Sequence, residues 1–405
     1  MLAMAKNEQL GPFRGINNRL PDDQMVYRER GVRVFEFLRN AINTDVTNGG
    51  GLKRRTGVTR SVIGTDCHSL WCHNDQAYYV DNGSLYAFPR TLLDVGPVAS
   101  RVSYCKAGTD IVWSDGRTLK KIVDGASIPL VQPEPNPMPA VAATADGALT
   151  EGLYLISFVA IGPSGQSLPS WSQQLSVPAN GRIEVTGLTG PTDIYLSGPN
   201  DNQLFLAGRF TTSASLAFQA TGPMLTTRNL RPMPPGRIVR YIRGRLLVAA
   251  GSVLYYSEPF APGLYNPARG YIPFPADIDL VAPVLTGVFI SADKTYFLAG
   301  DDIDSAKPEA ILPYKAVFGT DTYNEVDESA WWYSQRGMVR GEPNGKVTNV
   351  QEADIAAPPA QSGASLYRDY DGLRHVVSSL FGAEVTRAAA SSYIDAEVIR
   401  KEKMQ

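Results

Sequence analysis

One short layout recurs along this 405-residue chain: a strand, a tight turn, a second strand, a glycine turn and a third strand. Its cleanest copy runs over 237–260. One strand ends at Arg243-Gly244, a second is Arg245-Leu246-Leu247-Val248-Ala249-Ala250, Gly251-Ser252 turns, and Val253-Leu254-Tyr255-Tyr256-Ser257 is the third. Glycine supplies the positive φ that tight hairpins need. The β-branched and aromatic residues between the turns suit a pleated, half-buried surface. A sheet this small cannot bury its apolar face alone, so a chain built of copies must stack them.

Looser copies are readable elsewhere. Leu70-Trp71-Cys72-His73 leads through Asn74-Asp75 to Gln76-Ala77-Tyr78-Tyr79-Val80, and Asp81-Asn82-Gly83 turns into Ser84-Leu85-Tyr86. Tyr104-Cys105 leads through Gly108 to Ile111-Val112-Trp113-Ser114, then Asp115-Gly116. Three more centre on Val288-Phe289-Ile290, on Trp331-Trp332-Tyr333, and on Leu366-Tyr367 with the turn Asp371-Gly372 and His375-Val376-Val377. First strands fall near 71, 104, 241, 284, 332 and 367, at intervals of 33, 137, 43, 48 and 35. Removing an insertion of roughly 85 residues leaves a mean of roughly 42, the period of propeller blades. The pattern predicts an all-β fold: a β-propeller of about six or seven blades, interrupted by a small β-sandwich.

The insertion is marked by composition. Pro133, Pro135, Pro137 and Pro139 make a semi-rigid boundary, and Pro232, Pro234 and Pro235 close the segment. Residues 140–222 carry short strands at 152–160, 173–177, 182–185, 193–196, 203–206 and 215–220, as a sandwich would. Thr150 to Ser167 resembles fibronectin-type modules. The expected organisation is a basic N-terminal segment (1–66) lending strands to the propeller, first blades at 67–132, the sandwich at 140–222, and remaining blades at 236–405. In the N-terminal segment 41–46 alternates as a strand, and Gly49-Gly50-Gly51 turns into a basic one. Tyr393 to Arg400 alternates like a strand that closes the ring; a short amphipathic helix is the competing reading.

Net charge of −2 argues against a polyanion-binding chain as a whole. Cys67, Cys72 and Cys105 are too few, and odd in number, for a disulfide framework, which favours a reducing compartment. No apolar run approaches the ~20 residues of a spanning helix, and the first residues lack the apolar core of a signal peptide. These features predict no membrane insertion and assembly in a cytosol.

The search for chemistry yields little. Cys67-His68 and Cys72-His73 offer zinc-type ligands, but the spacing fits no standard finger. On an unbroken strand Cys67 and His73 face one way and His68 and Cys72 the other. Asp301-Asp302 with Asp304 offers carboxylates to a hard cation, without the glycine and distal glutamate of an EF-hand loop. His375 has no evident nucleophile beside it. No hydrolase elbow, phosphate-binding loop or zincin motif occurs. The reading is therefore no enzyme, no cofactor and no metal. Two basic sets remain as DNA- or partner-facing candidates: Lys53, Arg54, Arg55 and Arg60, and Arg237, Arg240, Arg243 and Arg245. The alternative for each is a solvated strand face. Trp331, Trp332 and Tyr333 are either blade core or a platform for sugar.

The N-terminal block adds a resemblance. Phe13-Arg14-Gly15-Ile16-Asn17-Asn18, Arg39-Asn40-Ala41-Ile42-Asn43-Thr44-Asp45-Val46 and Gly51-Leu52-Lys53-Arg54-Arg55-Thr56-Gly57-Val58 resemble the start of tailed-bacteriophage tail proteins with a propeller body. Gly83-Ser84-Leu85-Tyr86 and Leu254-Tyr255-Tyr256-Ser257-Glu258-Pro259-Phe260 look like their hairpins. The resemblance implies a virion structural protein, assembled in the host cytoplasm. It would form a tail hub or nozzle ring below portal and adaptor, contacting DNA non-specifically in its lumen. Partners would be further copies, the adaptor, the portal or a tail fibre. Alternatives are a tail-tip or baseplate protein of a long-tailed phage, and a carbohydrate-binding or carbohydrate-active propeller.

Overall fold

The computed structural model describes residues 10–55, 61–73, 75–96, 98, 100–370 and 373–382. Its regular elements are strands, apart from a 3-10 turn at Asp22–Gln24. Contacts divide the chain into two units, Val62–Phe274 and Met1–Ser61 with Pro275–Gln405.

The continuous unit holds three four-stranded antiparallel meanders. The first is Cys67–His73, Gln76–Asp81, Ser84–Ala87 and Thr91–Asp94. The second is Ser103–Ala107, Asp110–Ser114, Leu119–Val123 and Ala126–Pro129. The third is Ile238–Ile242, Arg245–Ala250, Val253–Tyr256 and Tyr271–Pro273. Neighbours share cores. Tyr78, Val80 and Leu85 of the first sheet meet Tyr104, Ile111 and Trp113 of the second. Cys105 and Val112 on the other face of the second meet Val239, Leu246 and Val248 of the third. Central strands are therefore apolar on both faces: Leu246, Leu247, Val248 and Ala249 are all fully buried.

Between the second and third meanders lie two further sheets. One joins Ala140–Leu149, Gly181–Thr186 and Ser213–Leu216; the other is built on Gly152–Gly162 and Thr192–Ser197. Tyr154, Ile156, Phe158, Ile183, Val185, Ile194 and Leu196 fill one core that both sheets supply.

The discontinuous unit holds two more meanders, Leu280–Val284 to Pro308–Leu312 and Thr322–Asn324 to Val347–Asn349, with Phe289, Trp332 and Val339 in their shared core. A long hairpin, Ser362–Tyr370 with Leu373–Phe381, follows and packs Val376 and Leu380 against Val317, Tyr333 and Met338. First strands starting at Ile238, Leu280 and Thr322 are 42 residues apart. The N-terminal residues add a sheet with Val32–Leu38 between Phe13–Ile16 and Val26–Glu29, and a hairpin of Thr44–Val46 and Leu52–Arg54. Among the described residues no helix is long and apolar enough to cross a membrane.

Two local expectations are corrected. The strand expected over 41–46 shortens to Thr44–Val46, because Asn43 turns at φ 54° and the Asn40 side chain holds the Ala41 amide at 2.9 Å. The first strand of the first meander is bulged, with Ser69 at φ 56° and a register shift between His68 and Trp71. A bulge inverts the facing of everything beyond it. His68 and Trp71 therefore pair with Val80 and Tyr78 on one face, and His73 stacks on Trp71 at 5.7 Å. The turn at Asp371-Gly372 and the segment Tyr393 to Arg400 lie outside the described residues.

Candidate basic faces

The two basic sets fall in different units. Lys53 and Arg54 are exposed on Leu52–Arg54, and Arg55 follows the strand. Arg55 is tied down: its amide donates to the Asn43 carbonyl at 3.0 Å and its Nε to Asp45 at 2.7 Å. Arg60 lies outside the described residues. The hairpin itself is held to the neighbouring sheet, since the Phe13 amide donates to the Gly50 carbonyl at 2.7 Å.

The second set does not form one row. Arg243 (φ 48°) and Gly244 (φ 78°) are the turn itself, which separates Arg237 from Arg245. Arg245 pairs with Ile242, so it shares a face with Arg240. Both have local partners. The Arg240 guanidinium donates to Ser103 Oγ at 3.0 Å and to the Val239 carbonyl at 2.7 Å, joining the second and third meanders. The Arg245 guanidinium donates to the Ser257 carbonyl at 2.8 Å and lies 5.6 Å from the Tyr256 ring centroid. Arg240 and Arg245 are thus built into the packing of the third meander.

The other chemical candidates have these surroundings. Burial pushes the Cys105 thiol up to about 12, against a smaller opposing pull from Arg240. Burial also raises Cys67 and Cys72, so the reactive thiolate is disfavoured. Among the described residues no three of His, Cys, Asp or Glu gather as a metal would need. Asp302 accepts from the Asp304 amide at 3.1 Å, turning its own loop. His375 faces Arg368 across the long hairpin. Trp332 is fully buried and Tyr333 nearly so, while Trp331 donates to Ser329 Oγ and lies under Arg340. Trp332 and Tyr333 therefore belong to the core, with Trp331 half-buried at its edge.

Sequence reasoning missed the polar residues that end second strands. Ser114, Ser291 and Asp81 are buried at equivalent places. Ser114 Oγ accepts from the Gly236 amide at 3.3 Å, and Ser291 Oγ from the Ala316 amide at 2.8 Å, each on the way into the next meander. Asp81 accepts from the Thr65 and Asp66 amides and from Arg90 at 3.0 Å. A buried amide without a partner is costly, and these side chains supply one. The signal was the polar residue that recurs before several second turns, as in Val80-Asp81, Trp113-Ser114 and Ile290-Ser291.

No protein-family model and no curated protein matches the chain. Among solved structures it is similar to BBS1N in complex with ARL6DN, at 8% identity over 81% of this chain and 91% of that chain, with a TM-score of 0.32. It is also similar to the extracellular domain of the one-component system BT4673 from B. thetaiotaomicron. There identity is 12% over 82% of this chain and 62% of that chain, with a TM-score of 0.25. Likeness at these scores carries no argument about fold or function.

Proposed function

We propose that the chain is a non-enzymatic structural protein of a tailed-phage virion, with a propeller body and an inserted sandwich, assembling as a tail hub or nozzle ring. The observation that carries the reading is the run of four-stranded antiparallel meanders, which share cores with their neighbours within each unit. Blade-like units of this kind are stable only in arrays. Support for the virion role comes from the N-terminal block, where Phe13 to Asn18 and Leu52 to Arg55 carry the resemblance to tail proteins. Exposed Lys53 and Arg54 suit non-specific contact with packaged DNA. Negative-stain images of the purified chain are expected to contain rings of one symmetry, and immunogold labelling to mark the tail of intact particles. A monomer at every concentration, with no label on particles, removes the proposal.

A further inference from the structure

We infer that the outer face of the N-terminal sheet binds single-stranded nucleic acid. Three side chains form a row across its strands: Arg14 on Phe13–Ile16, Phe35 on Val32–Leu38 and Tyr27 on Val26–Glu29. The Arg14 guanidinium lies 4.9 Å from the Phe35 centroid. Tyr27 and Phe35 are cross-strand partners whose rings stack at 4.9 Å and 12°, and Phe37 meets Phe35 edge-on at 5.5 Å. Glu36 and Leu38, alternating with these rings, are the buried side of the strand. Tyr27 is left 50% exposed.

Cations lie on the elements next to the row. Arg28 and Arg30 are exposed at the hairpin beside Tyr27, and with Glu29 they leave it net positive. Neither makes an ion pair among the described residues, whereas Arg33 and Arg39 are held by Glu36 and Asp22. Lys53 and Arg54 stand on the hairpin that Gly50 fastens to this sheet.

A Tyr–Phe pair across strands is ordinary sheet stabilisation. An open ring with unneutralised arginines beside it is something more: a stacking platform on a phosphate-attracting surface. A duplex hides its base faces and a sulfated polysaccharide has none, so the face fits single strands best. The inference stands apart from the ring reading, because it needs one copy and one sheet.

The test is fluorescence anisotropy of a labelled oligothymidylate of about 15 nucleotides, titrated with the full chain, with duplex DNA and heparin as competitors. Tyr27→Leu is expected to weaken binding about tenfold, with Tyr27→Phe unchanged. Arg28→Gln with Arg30→Gln, both at exposed positions, is expected to flatten the salt dependence. Matching thermal midpoints show that the variants keep the sheet. No binding, preference for duplex or heparin, or equal affinity of Tyr27→Leu and the wild type overturns the inference. So does a salt slope unmoved by the arginine variant.

Discussion

At the scale of single residues, Asp81 shows what a buried charge does here. Its carboxylate is nearly inaccessible, and three donors converge on it. The Thr65 amide is the largest influence holding its pKa below the usual carboxylate value; burial opposes it, and the Asp66 amide and Arg90 assist. A carboxyl depressed in the folded state stabilises the fold above its unfolded pKa of about 3.9, and that contribution is lost as pH falls through the folded value. Thermal midpoints of the wild type should therefore drop as pH is lowered below about 4. Asp81→Asn should start lower at neutral pH and lose that part of the acid dependence. Parallel melting curves for the two proteins from neutral pH down to acid would show that Asp81 carries none of it.

At the scale of elements, the joints between meanders are the sensitive places. Ser291 accepts the Ala316 amide in a fully buried setting. Ser291→Ala leaves that amide without a partner, at a cost of about 1–3 kcal/mol. Chemical denaturation should read this as a lower midpoint with an unchanged slope; an unaltered midpoint would remove the joint role. The inserted sheets hold a separate apolar core, with Phe158 fully buried at its centre. Phe158→Ala should cost that core about 3–5 kcal/mol. Hydrogen exchange should quicken across 152–216 before it changes in the flanking meanders. Uniform quickening across Val62–Phe274 would mean that the insert does not unfold on its own.

What could be read beforehand follows from the range of the interactions. Turns set by local φ, such as Asn82-Gly83 and Arg243-Gly244, were legible, and with them the second and third strands of the first four meanders; Trp331–Tyr333, expected as a first strand, lie in the second strand of the fifth, and the copy at 366 is a two-stranded hairpin. Outer fourth strands, such as Thr91–Asp94 and Pro308–Leu312, were not. They are short and half exposed, so little apolar pattern marks them. Ala140–Leu149 escaped for a different reason: its alanines and Gly147 have low strand propensity, and pairing with Gly181–Thr186 imposes the conformation. The basic sets were legible as composition but not as geometry. Arg240 finds Ser103 137 residues away, and the Ser69 bulge cannot be seen in an alternation pattern.

At the scale of the molecule, one unit is continuous in sequence and the other is closed by the two ends of the chain. Asn17 is 2% exposed and joins those ends. Its Nδ2 donates to Asp354 Oδ1 at 2.9 Å, while its Oδ1 accepts from the amides of Arg19 and Leu20 at 3.0 Å each. The Asn18 amide donates to the Asp354 carbonyl at 3.0 Å, and the Ala356 amide returns to Asn18 Oδ1 at 2.7 Å. The asparagine pair of the N-terminal block is thus a clasp, which explains two adjacent side chains that each need both a donor and an acceptor. The far side of the clasp, Asp354 and Ala356, follows the last strand of the fifth meander. A fragment of residues 62–274 should then unfold cooperatively, with a midpoint near that of the same unit in the full chain. A fragment of residues 275–405 should lose amide protection around 351–356 and regain it when residues 1–61 are supplied. Asn17→Ala in the full chain should reproduce part of that loss, about 1 kcal/mol, because the partners it leaves are only partly buried. Equal protection of 351–356 with and without the N-terminal residues would show that the clasp follows the fold and does not hold it.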